Sequence, residues 1–251
     1  MKIGILGTGH LAELLVRGAQ GTEYRVVLSP RGAETAARLA EVYGCEVAET
    51  NQAVVDRAEG VFVALPAASG LQELSRLRFP PGQPVLSAMA GIRASDLAVA
   101  VGPADAAVTM MPGYANALKL GPSILFPHSS FWQTFLVQLG PVHVVETEET
   151  FVAAAAFGGF SGATFLWMET IINWFVNRGL PAALARSLIA ETLRGNAEVV
   201  RREPGPIRAI SQTVATPGGI TQTLLDTLDE TGGLQAWTSG LDAVAQRLSS
   251  R

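Results

Sequence analysis

The arrangement of apolar positions divides the chain into two parts. Up to Thr147, short apolar runs alternate with stretches in which apolar residues recur at a helical spacing. The runs are typical of buried parallel strands and the stretches of amphipathic helices. Beyond Thr147 only the helical spacing remains. We therefore predict an α/β domain with a Rossmann-type doubly wound parallel sheet over residues 1–148, followed by an all-α C-terminal domain over residues 149–251.

The individual elements follow from the same pattern. Strands are predicted at residues 3–6, 24–28, 45–48, 61–65, 84–87 and 106–110, with edge strands at 121–126 and 142–145. Helices are predicted at residues 11–19, 33–43, 70–77, 94–100 and 129–139, and then at 151–179, 181–201, 207–215, 217–230 and 234–248. Gly158, Gly159 and Gly162 are expected to bend or interrupt the long helix that begins at residue 151.

The turn between the first strand and the first helix contains a glycine-rich motif. Residues 7–12 read Gly-Thr-Gly-His-Leu-Ala, which matches Gly-x-Gly-x-x-Gly/Ala. The first glycine permits a tight turn, the second lets the backbone approach a pyrophosphate, and the small last residue lets the helix pack close to the strand. The helix N-terminus adds free N–H groups and a partial positive charge. We predict a dinucleotide site, with a purely structural turn as the alternative. The predicted cofactor contacts here are Gly7, Thr8, Gly9, His10 and Leu11.

The residues after the second predicted strand bear on the choice of cofactor. NAD-binding proteins of this kind carry an acidic residue about 20 residues past the glycines, where it binds the ribose 2′-hydroxyl. This chain has Ser29 and Arg31 at that point and no acid. A hydroxyl and a guanidinium suit a 2′-phosphate, so NADP is the favoured cofactor and NAD the alternative. A solvated turn with a helix-capping serine is the competing interpretation, but it leaves the missing acid unexplained.

Three predicted loops lie at the carboxyl ends of central strands, where sheets of this type bind ligands. They cover residues 64–68, 88–92 and 111–116 and are expected to border the nicotinamide end of the cofactor. Ala64, Pro66, Met111 and Pro112 are the predicted contacts. Tyr114 is a candidate catalytic proton donor, or alternatively packs against the cofactor.

The second half of the chain contains one motif that predicts an anion site. Residues 216–221 read Thr-Pro-Gly-Gly-Ile-Thr. Thr216 is expected to cap a helix that begins at residue 217, which leaves the N–H groups of Gly218, Gly219 and Ile220 unpaired. A substrate carboxylate could bind there, with the Thr221 hydroxyl available to a polar atom beside the reacting carbon. A capped helix without a ligand is the alternative.

Composition narrows the class of partner. The chain has 48% hydrophobic and 16% charged residues, with a formal net charge of −4 and no acidic or basic block. We therefore expect a small-molecule substrate and neither nucleic acid nor membrane as a partner. Met1 leads almost directly into the first strand, so we expect no signal or transit peptide. We also expect no stretch of about 18 uncharged apolar residues, and from both expectations a cytoplasmic location. With a single cysteine and three scattered histidines, no disulfide and no metal site are expected.

The C-terminal helices are expected to form a subunit interface. They carry more apolar surface than a small domain can bury by itself, in particular Phe165, Trp167, Trp174 and Phe175. A homodimer through these helices is the favoured interpretation, with higher assemblies left open. An internal core is the alternative.

Motifs spread over nearly the whole chain resemble those of the pyrroline-5-carboxylate reductases. They are the Met-Lys-Ile-Gly start with its glycine-rich turn, Asn51, Ala90-Gly91, Met111-Pro112, Gly179-Leu180-Pro181, Pro217-Gly218-Gly219-x-Thr221 and Gly232-Gly233. The resemblance implies that NADPH, or NADH, reduces a cyclic imine to L-proline, and that an interlocked helical dimer shapes the active site. It implies that Thr221 hydrogen-bonds the imine or carboxylate, that residues 216–219 hold the carboxylate, and that Asn51 joins Ser29 and Arg31 at the adenosine phosphate end.

The chain also departs from that family. It has Leu65-Pro66 in place of Lys-Pro, Gly113-Tyr114-Ala115 in place of Asn-Thr-Pro, and Phe160 within a segment of small residues. Phe160 and Tyr114 are expected to change the substrate pocket, so a different imine or a carbonyl compound is an alternative substrate. A non-catalytic NADP-sensing protein is a further alternative. A 3-hydroxyacid dehydrogenase is disfavoured, because it would need a lysine on the long helix and the last lysine is Lys119.

Overall fold

The computed structural model describes residues 1–249. The strands in this range are β1 (Lys2–Leu6), β2 (Arg25–Leu28), β3 (Glu46–Val47), β4 (Gly60–Val63), β5 (Pro84–Ser87), β6 (Asp105–Met110), β7 (Ser123–Phe126) and β8 (Val142–Val144). The helices between them are α1 (His10–Gly18), α2 (Ala33–Tyr43), α3 (Asn51–Arg57), α4 (Gly70–Leu74), α5 (Ala94–Val101), α6 (Tyr114–Ala117) and α7 (Ser130–Leu136). After β8 follow α8 (Glu148–Ala155), α9 (Phe157–Val176), α10 (Ala182–Arg202), α11 (Ile207–Val214), α12 (Ile220–Glu230) and α13 (Gly233–Ser249).

The strands form one sheet in the order β3-β2-β1-β4-β5-β6-β7-β8. Neighbouring strands from β3 to β6 are parallel, β7 is antiparallel to β6, and β8 is parallel to β7. The direction of the strand order reverses between β1 and β4, and sheets of this kind bind their ligands beyond the carboxyl ends of the strands at that point. The predicted α/β Rossmann-type sheet and the all-helical C-terminal region are confirmed.

The sheet is covered on both faces, which explains why its strands are continuous apolar runs. Along β4, Phe62 packs into the core on one side, with its ring centroid 6.3 Å from that of Trp132. Val61 and Val63, on either side of it in the chain, belong to the core on the opposite face. All four side chains are fully buried. The position of the carboxyl ends of the strands is therefore fixed by packing on both sides.

The helix predicted at 151–179 is divided in two, with α8 ending at Ala155 and α9 beginning at Phe157. The interruption falls just before the three glycines. Phe151 and Ala155 of α8 are buried in the sheet core, where the Phe151 ring lies 6.4 Å from that of Phe126. The first compact unit, Met1–Gly158 together with the end of α13 from Ala245, therefore extends past the predicted boundary at residue 148.

The second compact unit is Gly159–Val244. Of its residues, Ala185 alone is buried. Large apolar side chains are exposed instead, including Phe165 at 56%, Leu166 at 59% and Ile220 at 92%. A unit of this size without an apolar core of its own cannot be stable without further apolar cover.

One helical stretch among the described residues, Glu148–Val176, is long and apolar enough to cross a bilayer by length and composition alone. The expectation that the chain lacks such a stretch was therefore wrong, because residues 151–168 are all uncharged. Only 11% of the most apolar window is buried. A single stretch of this kind is weak evidence of a membrane span, and Phe151 within it packs in the core of the sheet.

Two short helices were missed in the sequence. The first, α3, is capped by the Thr50 hydroxyl, which accepts from the Ala53 N–H at 3.0 Å, and it buries Val54 and Val55. The second, α6, follows Gly113 and has only four residues. Helices this short show too few turns to establish a hydrophobic period.

The packing of α8 can be tested by Phe151→Ala. We expect the free energy of unfolding of the first unit to fall by about 3 kcal/mol, because the substitution leaves a cavity in the core of the sheet. The measurement is urea unfolding followed by the fluorescence of the buried Trp132. As a control, Val99→Ala removes a side chain that is 87% exposed and should change stability by less than about 0.5 kcal/mol. Equal effects of the two substitutions would contradict the placement of α8.

Candidate active site

The glycine-rich turn lies at the carboxyl end of β1 and packs directly on the end of β4. Gly7 has a φ of +95°, and a Cβ added to it would lie 2.6 Å from the carbonyl oxygen of Ala64. Only glycine meets both conditions, since side chains rarely adopt this φ and the contact leaves no space for one. The turn after β1 therefore requires glycine at position 7.

Gly9 provides open space at the start of α1. It is the N-cap residue of that helix, and a Cβ added to it would meet no atom within 4 Å. Ala12 is fully buried against the sheet, as the motif predicts. The N–H groups of the first turn of α1 have no partner within the helix. An open backbone surface at a helix N-terminus fits the pyrophosphate of a dinucleotide.

The loop between β2 and α2 is tied to the glycine-rich turn by hydrogen bonds. The Thr8 hydroxyl donates to the carbonyl of Arg31. The Ser29 hydroxyl donates to the Asn51 side-chain oxygen at 2.6 Å and accepts from the Arg31 N–H at 3.3 Å. Ser29 is fully buried, so its hydroxyl is occupied by these two hydrogen bonds, and its contact with a 2′-phosphate stays a prediction. Ser29, Thr8 and Asn51 therefore shape the loop, and Arg31 alone projects from it.

The Arg31 side chain forms an ion pair that the sequence did not predict. Its Nη1 donates to Oε2 of Glu73 in α4. The Arg31 side chain is 62% exposed, whereas that of Glu73 is only 17% exposed. Forty-two residues separate them in the chain, so only the fold brings them together. The cation predicted to bind a 2′-phosphate thus has a carboxylate beside it.

The loop after β6 holds the predicted nicotinamide-end residues in a fixed arrangement. Met111 is buried and Pro112 half-buried. Gly113 has a φ of 72°, and its N–H donates to the side-chain oxygen of Asn116 at 3.0 Å. The Asn116 amide nitrogen donates in turn to the Gly121 carbonyl at 2.8 Å. Asn116 is buried, and its structural role was not predicted, since a single asparagine carries no pattern.

The Tyr114 side chain lies next to the glycine-rich turn. It is 51% exposed, and its ring centroid is 5.0 Å from that of His10. His10 is exposed and Leu11 half-buried. The structure therefore brings together the start of α1 and the loop after β6, two of the segments predicted to contact the cofactor.

The loop after β4 completes this edge of the sheet. Ala64 is half-buried and contacts Gly7, while Pro66 is exposed. The Ala64 N–H donates to the Leu6 carbonyl at 2.8 Å, which continues the pairing of β1 and β4 to their ends. The first unit thus places the predicted cofactor contacts along one edge.

In the second unit, residues 216–219 precede the helix instead of starting it. The prediction that Thr216 caps a helix beginning at residue 217 was wrong, because α12 begins at Ile220 with Gly219 as its N-cap. Gly218 has a φ of +70°, and the Gly219 N–H donates to the Thr216 carbonyl at 2.8 Å. The amides without a partner inside the helix are therefore those of Ile220, Thr221 and Gln222.

Phe160 lies on α9 and lines an apolar cavity of the second unit. Its ring centroid is 5.8 Å from that of Trp237, in an edge-to-face arrangement. The cavity measures about 710 Å³, and its lining includes Trp167, Met168 and Leu234. Phe160 is 47% exposed. Its ring therefore forms part of the apolar wall of this cavity.

In the described part of the chain, two features bear on chemistry of other kinds: the grouping of metal-ligating side chains and the state of the cysteine. Within residues 1–249, no three His, Cys, Asp or Glu side chains are grouped closely enough to hold a metal ion. Burial raises the pKa of the Cys45 thiol to about 11. The thiol is therefore protonated at neutral pH and not a nucleophile.

Comparison with known proteins gives matches over both parts of the chain. A family described as NADP oxidoreductase, coenzyme F420-dependent, matches residues 2–91. A family described as pyrroline-5-carboxylate reductase dimerisation matches residues 148–250. The chain is 24% identical to pyrroline-5-carboxylate reductase 1 of Bacillus spizizenii, over 98% of this chain and 88% of that protein.

Solved structures show the same fold. The 1-pyrroline-5-carboxylate reductase of Streptococcus pyogenes matches with a TM-score of 0.87 and 24% identity, over 100% of this chain and 99% of that one. The pyrroline carboxylate reductase of Plasmodium falciparum, solved with NADP bound, matches with a TM-score of 0.87 and 17% identity, over 100% and 97% of the two chains.

Alanine substitutions of the two glycines in this turn are expected to have different effects, which can be compared directly. Gly7→Ala should lower the free energy of unfolding by about 2 kcal/mol or more, because the new Cβ meets the Ala64 carbonyl at an unfavourable φ. Gly9→Ala should leave the unfolding temperature unchanged but weaken dinucleotide binding about tenfold or more, since its Cβ occupies only the open space. Thermal unfolding and calorimetric titration with NADP⁺ measure the two effects. We call the open space that Gly7 and Gly9 leave in front of α1 the glycine cradle. Normal dinucleotide affinity in Gly9→Ala would contradict the assignment of this cradle to the dinucleotide.

Proposed function

We propose that this chain, which belongs to the pyrroline-5-carboxylate reductase family, is an NADPH-dependent oxidoreductase that acts on C=N bonds and converts 1-pyrroline-5-carboxylate to L-proline. The observation that carries the proposal is the open glycine cradle at the β1–β4 switch point, with Arg31 beside it. The sequence similarity to a relative that supports the proposal extends over 98% of the chain.

The residues of the first unit would hold the cofactor, which when bound supplies the hydride. Gly7, Thr8, Gly9, His10 and Leu11 would surround the pyrophosphate, and Arg31 would bind the 2′-phosphate through charge-assisted hydrogen bonds. Asn51 and Ser29 would support Arg31 through the loop. At the nicotinamide end, the contacts would come from Ala64, Pro66, Met111 and Pro112. NAD would bind less well, because its 2′-hydroxyl gives Arg31 no anion to pair with.

The start of α12 would hold the substrate. Its free amides and partial positive charge suit a carboxylate, and the Thr221 hydroxyl can donate to or accept from the imine group. Thr216, Gly218 and Gly219 would form the rim of this site through the turn before the helix, and Ile220 would contribute an amide. Because an iminium carbon is already electrophilic, the protein mainly has to orient the two reactants and exclude water.

Tyr114 is the side chain proposed to supply a proton, if the imine requires one. It stands beside His10 at the edge of the cradle. Phe160 is proposed to narrow the substrate pocket. These two residues differ from the small ones that the family usually carries, so a different imine or a carbonyl compound is the second candidate substrate.

The second unit is proposed to form a homodimer through its helices, within a cytoplasmic enzyme. Its exposed apolar surface needs cover, and residues 148–250 match a dimerisation family. Higher assemblies are compatible with the same surface. Sedimentation of the purified protein measures the state directly, and a stable monomer at low concentration would contradict the dimer.

The proposal is tested by incubating the protein with NADPH and a panel of cyclic imines while following the nicotinamide absorbance. Oxidation with pyrroline-5-carboxylate and formation of proline supports it. Oxidation only with another imine or with a carbonyl compound changes the substrate. Binding of NADP⁺ without turnover of any compound favours a non-catalytic sensor instead.

The role of Thr221 can be separated from cofactor binding. Thr221→Ala should lower kcat about 10–100-fold, because one hydrogen bond at the reacting group is lost, and should leave the Kd for NADP⁺ unchanged. Thr227→Ala is the control, since its hydroxyl only bonds the Thr223 carbonyl within α12. Unchanged turnover in Thr221→Ala would remove this residue from the site.

The role of Arg31 is tested by Arg31→Ala. NADPH affinity should fall about 10–100-fold and NADH affinity much less, because only NADPH has the 2′-phosphate. Arg25→Ala, at the opposite end of β2, is the matched control. Equal losses for the two cofactors would contradict the assignment.

A further inference from the structure

The structure assigns a second residue to cofactor choice: we propose that Glu73 sets the preference between NADP and NAD by competing with the 2′-phosphate for Arg31. The inference rests on the proposed use of a dinucleotide. Glu73 lies in α4, far from Arg31 in the chain, and is joined to it by an ion pair.

Glu73 is held firmly in its position. It lies next to Leu74, which is fully buried. Its N–H donates to the Ser69 carbonyl at 3.0 Å, and the Ser69 hydroxyl donates to the second carboxylate oxygen at 3.4 Å. At the start of α4, Gly70 packs tightly on Met89. The main chain of Glu73 therefore belongs to a packed element, and its carboxylate has hydrogen-bond partners at both oxygens.

Arg31 has less freedom than its exposure indicates. Its main chain is fixed at both polar groups, through the Thr8 hydroxyl and the Ser29 hydroxyl. Only the side chain can reorient, and one of its guanidinium donors already contacts Glu73. A phosphate that binds Arg31 must therefore share the guanidinium with this carboxylate or displace it.

The two cofactors differ in what they meet at this point. A 2′-phosphate carries up to two negative charges at neutral pH, and a carboxylate beside it is repulsive. A 2′-hydroxyl is a hydrogen-bond donor, and a carboxylate is its usual acceptor in NAD-binding sheets. Those proteins carry the acid after β2. Here the loop after β2 has none, and Glu73 supplies a carboxylate to the same loop from α4.

The test is Glu73→Gln, which keeps the size and the hydrogen-bond acceptor of the side chain but removes its charge. Affinities for NADP⁺ and NAD⁺ are measured by calorimetric titration of the purified protein. We expect the Kd for NADP⁺ to fall about tenfold and that for NAD⁺ to stay the same or rise. Glu41→Gln, which removes an exposed charge near the far end of α2, should change neither. Thermal unfolding without ligand verifies that each variant is folded.

The outcomes separate this inference from the proposed function. If the wild-type chain binds neither dinucleotide, the proposed function fails and the inference fails with it. If both bind but the ratio of their Kd values changes by less than about twofold in Glu73→Gln, only the inference is overturned. A loss of NADP⁺ affinity in this variant also overturns it, because Glu73 would then orient Arg31 for the phosphate and not compete with it.

Discussion

The contact between the Gly7 backbone and the carbonyl of Ala64 is the constraint on which the rest of the site depends. This contact holds the turn after β1 against the end of β4. As a result, α1 starts at the point between β1 and β4 where the strand order reverses. Because Gly7 carries the positive φ, Gly9 is free to leave open space in front of the helix N-terminus. Thr8, between them, fastens the loop that bears Arg31. Three consecutive residues thus position both the N-terminus of α1 and the loop that carries Arg31.

The two compact units depend on packing in different ways. The first buries side chains on both faces of its sheet and recruits α8 and the end of α13 to do so. The second has helices but almost no interior, with Ala185 its one buried residue in the described chain. Its apolar surface therefore has to be satisfied by something beyond itself, which is the physical reason for a dimerisation region.

Much of the fold was predictable because buried parallel strands are continuous apolar runs. When the motif at residues 7–12 follows such a run, it indicates a tight turn from a strand into a helix. The start of α12 was not predictable in detail. Pro217 and Gly218 look like the first helical turn in sequence, but Gly218 adopts a positive φ that ends the turn before the helix begins. The Arg31–Glu73 pair could not be predicted either, since nothing local to either residue indicates the other.

A rigid frame is also what the proposed imine reduction would require of this site. An electrophilic C=N bond asks for alignment with the hydride donor more than for a strong acid or base. The buried Asn116 provides such rigidity where Tyr114 emerges, by bonding the Gly113 N–H and the Gly121 carbonyl at once. Without this side chain both groups would be left in the interior with no partner, at a cost of about 1–3 kcal/mol each. These two hydrogen bonds hold the main chain on both sides of position 114, so the proposed change of the substrate pocket by Tyr114 does not depend on a change in the loop itself.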